Sequence, residues 1–144
     1  MAEGVLQRFT TRVVELAHAY GARVLVNTDA SLARRTGADG VHLTSAQLKT
    51  LNRRPEADLV GASCHDAAEL TWARDLGADF AVLGSVLPTP SHPGAAGIGW
   101  DQLSRLLQNS SMPVYALGGL KASDLELAWD RGAHGVALMR DAWR

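Results

Sequence analysis

The amino-acid sequence predicts an α/β fold built on a parallel β-sheet. Short apolar runs alternate with amphipathic stretches, and the runs are apolar at consecutive positions, as in 80–83, instead of at every second position. Strands of this composition lie in parallel sheets that are covered by helices. Six such strands can be counted along the chain. Because a (β/α)₈ barrel needs eight strands and typically about 250 residues, the periodicity alone favours an open, doubly wound sheet in a chain of 144 residues.

The order of elements follows from apolar spacing and from glycine punctuation. The first element is an amphipathic helix over residues 6–19, which ends at Gly21 because glycine readily takes the left-handed conformation found at helix C-termini. A Gly-Ala pair with the same role precedes three of the strands. The predicted strands span 23–26, 40–43, 59–63, 80–83, 113–117 and 135–138, and the later helices span 30–35, 45–51, 66–76, 100–108 and 123–131.

Two residues have side chains suited to capping the first turn of a helix. Asp66 and Ser123 each stand at the start of an amphipathic stretch, where a short polar side chain can accept a hydrogen bond from a free backbone N–H. Glu69, three residues after Asp66, would complete a capping box. We therefore expect helices to begin at these two positions.

The composition excludes several classes of protein. With a formal net charge of −1, the chain has no basic excess for binding nucleic acid. Its one cysteine cannot form an internal disulfide, which favours a reducing compartment. The sequence contains no apolar stretch long enough to span a membrane and no secretory signal. We expect a cytoplasmic protein that binds neither nucleic acid nor membranes.

The segment 80–99 is the stretch around which a site is predicted. Its strand ends near Gly84, and three prolines then alternate with hydroxyl and imidazole side chains in the sequence VLPTPSHPG. Proline fixes φ and pushes the preceding residue into extended conformations, so Thr89, Ser91 and His92 would project from a loop with little freedom. A rigid surface connection is the other interpretation. Irregular loops of this length are usually functional or disordered, which favours a site.

Polar residues stand where the predicted strands end, which is the edge at which parallel sheets bind ligands. Two interpretations stay open for some of them. Asp29 and Ser63 are equally suited to capping or turn formation, and His42 is suited to a hydrogen-bonded place in the core. Cys64 is expected to pack, since its neighbour His65 points to the opposite face of the strand. The residues that we expect to converge on one rim are Asp29, His42, His65, His92 and Arg140.

The pair Gly118 and Gly119 follows a late strand and precedes a helix. Backbone N–H groups of glycines can approach a phosphate closely, and a helix dipole adds attraction. Met139 and Arg140 follow the last strand, and loops after the last two strands form the phosphate site typical of barrels. The alternative is a tight turn that needs positive φ. The sequence has no HExxH, CxxC or usefully spaced carboxylate pair that would indicate a metal centre.

Together these motifs resemble the thiamine phosphate synthase and TenI superfamily. The resemblance runs in order from Leu6 to the C-terminus, and its most specific part is the proline-rich loop. It implies a TIM (β/α)₈-barrel-like domain that is truncated to about six βα units, with strands 1 and 2 missing. The matching motifs are Asn27 after a strand, GADGVHL at 37–43, GASCH at 61–65, LGSVLPTPSHPG at 83–94, LGGL at 117–120 and GAHGVALMR at 132–140.

The resemblance also implies how the chain is organised. Residues 1–144 are expected to form a single domain, the C-terminal part of a longer protein similar to those that begin with a Nudix (MutT-like) hydrolase. A sheet of six strands would leave two unpaired edges, which are usually covered by oligomerisation or by rearranged N-terminal structure. A homo-oligomer is therefore one expectation.

In the reaction that the resemblance implies, a hydroxymethylpyrimidine diphosphate loses pyrophosphate and the nitrogen of a thiazole phosphate attacks the resulting carbocation. By position, Ser63 matches a serine that contacts the pyrimidine or the pyrophosphate, and Thr89 and Ser91 match hydroxyls that hold the thiazole phosphate. Ser63 and His92, which stands in the place of a lysine, are the candidate catalytic residues. The candidate ligand-binding residues are Asn27, Thr89, Ser91, Gly118, Gly119, Met139 and Arg140.

The chain departs from the family pattern where that pattern implies Mg²⁺. The aspartate expected directly after Asn27 is Thr28, with Asp29 one place late, and the second expected aspartate is Gln47. Asp29 is the remaining candidate metal ligand, and it would need a second carboxylate to hold Mg²⁺. The sequence therefore argues against the cofactor that the resemblance implies.

Three functions remain open. The first is a synthase-like transferase that is completed by residues outside this chain. The second is a non-catalytic module that binds thiazole phosphate or thiamine phosphate and regulates a Nudix hydrolase of the 8-oxo-dGTP diphosphatase type. The weaker third is a TenI-like thiazole isomerase with His92 or His65 as general base, since the family's own histidine is Ser85 here. Phosphate-binding positions persist while metal ligands do not, which favours the binding module on chemical grounds.

Overall fold

The computed structural model of the chain describes residues 3–90, 94 and 96–143. They form a six-stranded parallel sheet, as the sequence predicted. The strands are β1 (Leu25–Asn27), β2 (Gly40–Leu43), β3 (Leu59–Cys64), β4 (Phe80–Gly84), β5 (Val114–Leu117) and β6 (Gly135–Ala137). The helices are α1 (Glu3–Ala19), α2 (Ala30–Thr36), α3 (Ser45–Leu48), α4 (Ala67–Leu76), α5 (Gly99–Leu107) and α6 (Leu125–Asp130), with 3₁₀ turns at Ala122–Asp124 and Asp141–Trp143.

The order of the strands contradicts the doubly wound sheet that periodicity favoured. A doubly wound sheet reverses direction at a switch point, whereas these strands lie in chain order from β1 to β6, each paired in parallel with the next. Successive βα units that add strands in one direction are the arrangement of a TIM barrel. Apolar periodicity could not distinguish the two folds, because both are built from buried parallel strands.

Only one face of the sheet is fully buried. Its side chains, from Val41 on β2 to Ala116 on β5, are at most 3% exposed and belong to one core cluster with residues of α3 to α6. The opposite face carries a row of half-buried rings formed by His42, Phe80 and Tyr115, with centroids 6.1 and 5.8 Å apart. In a closed barrel this second face would line the interior.

The Gly-Ala-Asp sequences before β2 and β4 have a structural role. Gly37 and Gly77 end α2 and α4 in the left-handed conformation, with φ of 70° and 82°. The aspartate that follows then joins two strands: a carboxylate oxygen of Asp39 accepts the N–H of Val24 at 2.7 Å, and one of Asp79 accepts the N–H of Val60 at 2.7 Å. Each aspartate is also within hydrogen-bond distance of a basic side chain.

The cap predicted at Asp66 is confirmed, and its capping box is modified. The Asp66 carboxylate accepts the N–H of Glu69 at 2.9 Å. Glu69 does not return a bond to the Asp66 N–H; its carboxylate accepts the N–H of His65 at 2.8 Å and lies 2.8 Å from Nδ1 of the same residue. The carboxylate therefore fixes the residue before the cap.

The cap predicted at Ser123 is wrong. The helix is preceded by the 3₁₀ turn Ala122–Asp124, and Ser123 lies inside that turn. The Asp124 carboxylate accepts the N–H of Lys121 at 2.7 Å. A carboxylate three residues on takes the capping role that a hydroxyl was expected to fill.

The first helix, α1, has 17 residues and packs mainly against α2. Thr10 and Val14 are its buried residues. Within the part of the chain that the structure describes, neither this helix nor any other is long and apolar enough to cross a membrane.

Candidate functional site

A cleft of about 320 Å³ opens at the carboxyl ends of β4, β5 and β6. Its floor is apolar, with Leu117 and Ala137 from the last two strands, and its polar residues come from the loops that follow. This is the end of a parallel sheet at which ligands bind. The lining residues are Thr89, Pro90, Leu117, Gly118, Gly119, Leu120, Lys121, Ala137, Met139, Arg140 and Asp141.

The glycine pair is required by close packing against the loop after β4. Gly118 and Gly119 have φ of 102° and 71°, which side chains rarely adopt. A Cβ on Gly119 would lie 2.6 Å from the carbonyl oxygen of Pro88, and one on Gly118 would lie 2.7 Å from the Cα of Ser85. The turn interpretation is therefore confirmed, and the phosphate contact stays a prediction for the same residues.

Two cations line the cleft. Arg140 was expected there; Lys121 was missed. A lysine two residues after a glycine pair that ends a strand was the signal that could have found it. The backbone donors that follow the pair are engaged: the N–H of Lys121 donates to Asp124, and the N–H of Ala122 donates to Asp141 at 3.2 Å. The expected attraction of a helix N-terminus is thus reduced, and side-chain charge is the stronger means of binding an anion.

The ends of β2 and β3 form a second polar group on the half-buried face of the sheet. His42 Nε2 lies 2.8 Å from Ser63 Oγ. Burial lowers the pKa of His42, so the ring is neutral at physiological pH. The interpretation of His42 as a hydrogen-bonded histidine is confirmed, and its partner is the serine predicted to be catalytic.

Asp29 caps α2. Its Oδ1 accepts the N–H of Leu32 at 2.8 Å and the hydroxyl of Ser31 at 2.8 Å. The hydrogen bond from Leu32, followed by that from Ser31, lowers the pKa of Asp29. The capping alternative is thus confirmed, while metal binding by this carboxylate stays a prediction. Asn27, two residues earlier, is the exposed last residue of β1.

Thr28 and Gln47 stand where the family pattern has aspartates, and their neutral groups contact each other. Gln47 Nε2 donates to the carbonyl oxygen of Thr28 at 3.1 Å. Thr28 has φ of 66°, a conformation in which aspartate is several-fold enriched and threonine is not. Among the described residues, no group of three or more histidine, cysteine or acidic side chains could hold a metal ion. Thr28 and Gln47 therefore supply no carboxylate for Mg²⁺.

Cys64 is a packing residue, as predicted. Its side chain is 1% exposed, and burial, with Glu69 nearby, raises the pKa of the Cys64 thiol to about 12. His65 lies beyond the strand end with its ring against the buried Glu69, whose other oxygen is 3.5 Å from the Lys49 ammonium. A thiol with so high a pKa is not a nucleophile near neutral pH.

The residues predicted to converge on one rim lie in two separate places. Of the five residues expected to converge, the cleft includes Arg140, while Asp29, His42 and His65 lie at the ends of β1 to β3. His92 and the predicted phosphate ligand Ser91 fall outside the described residues. The remaining phosphate candidates that line the cleft are Thr89, Gly118, Gly119, Met139 and Arg140.

A family model described as "Thiamine monophosphate synthase" (TMP-TENI) matches residues 2–142. The chain belongs to this family. A putative thiamine-phosphate synthase of Geobacter sulfurreducens is 38% identical over 128 residues, covering 86% of this chain and 60% of the relative. A thiamine-phosphate synthase of Nostoc sp. is 36% identical, covering 90% of this chain and 38% of the relative.

A solved structure supports the same assignment. Thiamine phosphate pyrophosphorylase from Pyrococcus furiosus superposes with a TM-score of 0.74 at 25% identity, covering 92% of this chain and 64% of that one. The family resemblance and the TIM-barrel-like fold are therefore confirmed. The chain spans less than two thirds of the length of each of these three relatives.

Proposed function

We propose that this chain is a thiamine phosphate synthase-like domain that binds a phosphorylated thiazole, or thiamine phosphate, in the cleft between β4, β5 and β6. The observation that carries the proposal is the placement of Lys121 and Arg140 beside the glycine pair at the carboxyl end of the sheet. A volume of about 320 Å³ suits a small ligand. The family supplies the chemical class of that ligand.

Two parts of the cleft bind the phosphate and the thiazole ring of the ligand. The phosphate lies against the backbone of Gly118 and Gly119, where the lack of Cβ atoms allows close approach, and the cations neutralise its charge. The thiazole ring contacts the apolar side chains of Leu117, Ala137 and Met139. Charge therefore provides affinity for phosphate, and the apolar floor selects an organic phosphate over the free ion.

The complete transfer needs a second half-site. In the proposed reaction the C–O bond between the pyrimidine methylene and the diphosphate breaks, pyrophosphate leaves with the electron pair, and the thiazole nitrogen forms the new C–N bond. Asn27 and Ser63 lie at the ends of β1 and β3, where the pyrimidine would bind. We propose that residues outside these 144 bind the diphosphate, and that the chain is part of a longer protein similar to those with an N-terminal Nudix domain.

Replacing Lys121 with glutamine is expected to weaken binding of hydroxyethylthiazole phosphate about tenfold, because one charge-assisted hydrogen bond to phosphate is lost. Calorimetric titration measures the effect, with inorganic phosphate as the competing ligand. Lys49→Gln, at the only other lysine of the chain, is the matched control and should bind like the unchanged protein.

Three outcomes separate the claims. Binding of the thiazole phosphate that is no tighter than binding of inorganic phosphate would contradict the proposed ligand. Tighter binding that Lys121→Gln leaves unchanged would place the ligand elsewhere on the sheet. An equal loss in both lysine variants would mean that only the overall charge of the protein matters.

A non-catalytic binding module, regulating an attached hydrolase, is the second candidate function. It is favoured by the hydrogen bond between Gln47 and Thr28, which stands where the family pattern has two carboxylates. Two neutral groups cannot neutralise a divalent cation. This candidate predicts ligand binding that does not depend on Mg²⁺.

The double variant Thr28→Asp/Gln47→Asp is expected to create magnesium dependence. Aspartate tolerates the φ of 66° at position 28, so the change should fold. In this variant we expect Mg²⁺ to tighten the binding of pyrophosphate roughly tenfold. Titration of pyrophosphate with and without Mg²⁺ measures this, and Gln102→Asp, on the exposed face of α5, controls for added charge. Magnesium dependence already present in the unchanged chain would exclude the binding-only candidate.

A further inference from the structure

His42 lies beside β3 on the half-buried face of the sheet. It pairs in register with Gly61, and Gly61 pairs on its other side with Phe80. A Cβ on Gly61 would lie 2.8 Å from His42 Nδ1 and closer still to Cζ of Phe80, so the missing side chain gives both rings room over this strand. The imidazole reaches along β3 to the Ser63 hydroxyl, with Nε2 2.8 Å from Oγ. Its neighbours on the sheet therefore fix the orientation of the ring.

The position of the proton on His42 decides what Ser63 can offer a ligand. Burial lowers the pKa of His42, so the ring is neutral and has one donor and one acceptor nitrogen. A proton on Nδ1 is usually held there by a carbonyl or carboxylate acceptor. Within the described residues His42 Nδ1 has no such acceptor, and the free side chain of histidine already favours a proton on Nε2. These conditions favour an Nε2–H that donates to Ser63 Oγ.

We propose that His42 is a positioning residue, which turns the Ser63 hydroxyl outward as a hydrogen-bond donor to the substrate. Because Oγ accepts the Nε2–H of His42, its own O–H points away from the ring. Ser63 is half-buried and is the last residue but one of β3, so its hydroxyl is open to a ligand at the carboxyl edge of the sheet. The groups that this hydroxyl binds are acceptors, either a nitrogen of the pyrimidine or an oxygen of its diphosphate. The inference rests on the proposed function, since it concerns the half-site for the pyrimidine.

The contact with His42 prepares Ser63 for binding. A serine hydroxyl without such a partner can turn its hydrogen toward several acceptors, and a ligand must then select one orientation. The N–H of His42 makes that selection before the ligand arrives, which lowers the cost of binding. Removing the imidazole should therefore weaken binding only through Ser63. This dependence distinguishes a positioning residue from one that only supports the fold.

Nitrogen-15 NMR of the unliganded chain tests the contact itself, independently of any ligand. The protonated and unprotonated nitrogens of a neutral imidazole give well-separated signals. The signals that disappear in His42→Gln identify this residue among the five histidines of the chain. We expect the proton on Nε2, and a change in the Nε2 signal in Ser63→Ala. A proton on Nδ1 would overturn the proposal.

Calorimetric titration with hydroxymethylpyrimidine, and separately with pyrophosphate, tests the positioning role and distinguishes the two acceptors. Ser63→Ala should weaken binding of the ligand that Ser63 contacts about tenfold, and His42→Leu about fivefold. When Ser63 is already alanine, His42→Leu should cause no further loss. His42→Gln places an amide N–H near the position of Nε2 and should restore most of the affinity.

His134→Gln is the matched control. The His134 imidazole also packs against the row of rings, with its centroid 5.3 Å from that of Tyr115, but it lies before β6 at the amino end of the sheet. This variant should bind both ligands like the unchanged chain. A loss from His42→Leu that persists in the Ser63→Ala background would overturn the positioning role. Binding of neither ligand by the unchanged chain would contradict the proposed half-site, and the donor role with it, while the NMR result would still decide the contact between His42 and Ser63.

Discussion

Replacement of Gly119 with alanine is expected to lower the free energy of unfolding by about 3 kcal/mol and to remove binding of hydroxyethylthiazole phosphate. Two costs add at this position. The backbone has φ of 71°, and a Cβ would lie 2.6 Å from the carbonyl oxygen of Pro88 and 2.8 Å from the Cβ of Leu87. To relieve these contacts the loop after β4 must move away from β5, which widens the cleft. Urea unfolding and calorimetric titration measure the two effects.

Gly21→Ala is the control that separates conformation from sterics. Gly21 has φ of 69°, nearly the same as Gly119, but nothing lies within 4 Å of the position its Cβ would take. We expect this variant to lose only about 1 to 2 kcal/mol, the cost of the left-handed backbone, and to bind ligand normally. Equal losses in the two variants would show that the close approach of the β4 loop contributes nothing.

Asp79→Ala is expected to lower the free energy of unfolding by about 2 kcal/mol, because it leaves the buried N–H of Val60 without its acceptor. The carboxylate accepts the N–H of Val60, a residue with 0% exposure, and lies 2.7 Å from a guanidinium nitrogen of Arg54. The same guanidinium donates to the carbonyl oxygens of Gly77, Ala57 and Asp58. Losing the carboxylate therefore loosens the two connections that lead into β3 and β4, which thermal or urea unfolding would detect.

Asp75→Ala provides the comparison. Asp75 also pairs with an arginine, Arg74 at 2.7 Å, but its side chain is 60% exposed and the pair lies on the surface of α4. Such pairs contribute little, so the expected loss is below about 0.5 kcal/mol. A loss of similar size in both variants would mean that Asp79 acts only as a surface charge.

The pH dependence follows from the same contacts. Partial burial opposes ionisation of Asp79, but the hydrogen bonds from Arg54 and Val60 outweigh it and lower the pKa of that carboxyl. The hydrogen bond from Val24 lowers the pKa of Asp39. A pKa that is lower in the folded state stabilises the fold above the unfolded value, near about pH 4, and the contribution is lost as pH falls through the folded value. Acid unfolding of Asp79→Ala should accordingly be less steep than that of the unchanged chain.

Features that depend on neighbours in sequence could be predicted. The helix ends at Gly37 and Gly77, the cap at Asp66 and the burial of Cys64 all follow from backbone conformation, short-range hydrogen bonds or apolar runs. The family motifs are likewise continuous stretches of the chain. These motifs can be recognised whatever the order in which the strands pair. The predicted class of fold and the predicted family were therefore correct.

Features that depend on which strands become neighbours needed the tertiary structure. Sequential pairing from β1 to β6 excluded the doubly wound order that periodicity alone favoured, and it brought Lys121 and Arg140 to one cleft while leaving Asp29 at the other end of the sheet. The hydrogen bond from Gln47 to Thr28 joins residues on separate βα units. The sequence by itself determined the elements and the family, since these rest on local backbone preferences. Only the folded chain decided which side chains share a site, because that depends on the pairing and curvature of the whole sheet.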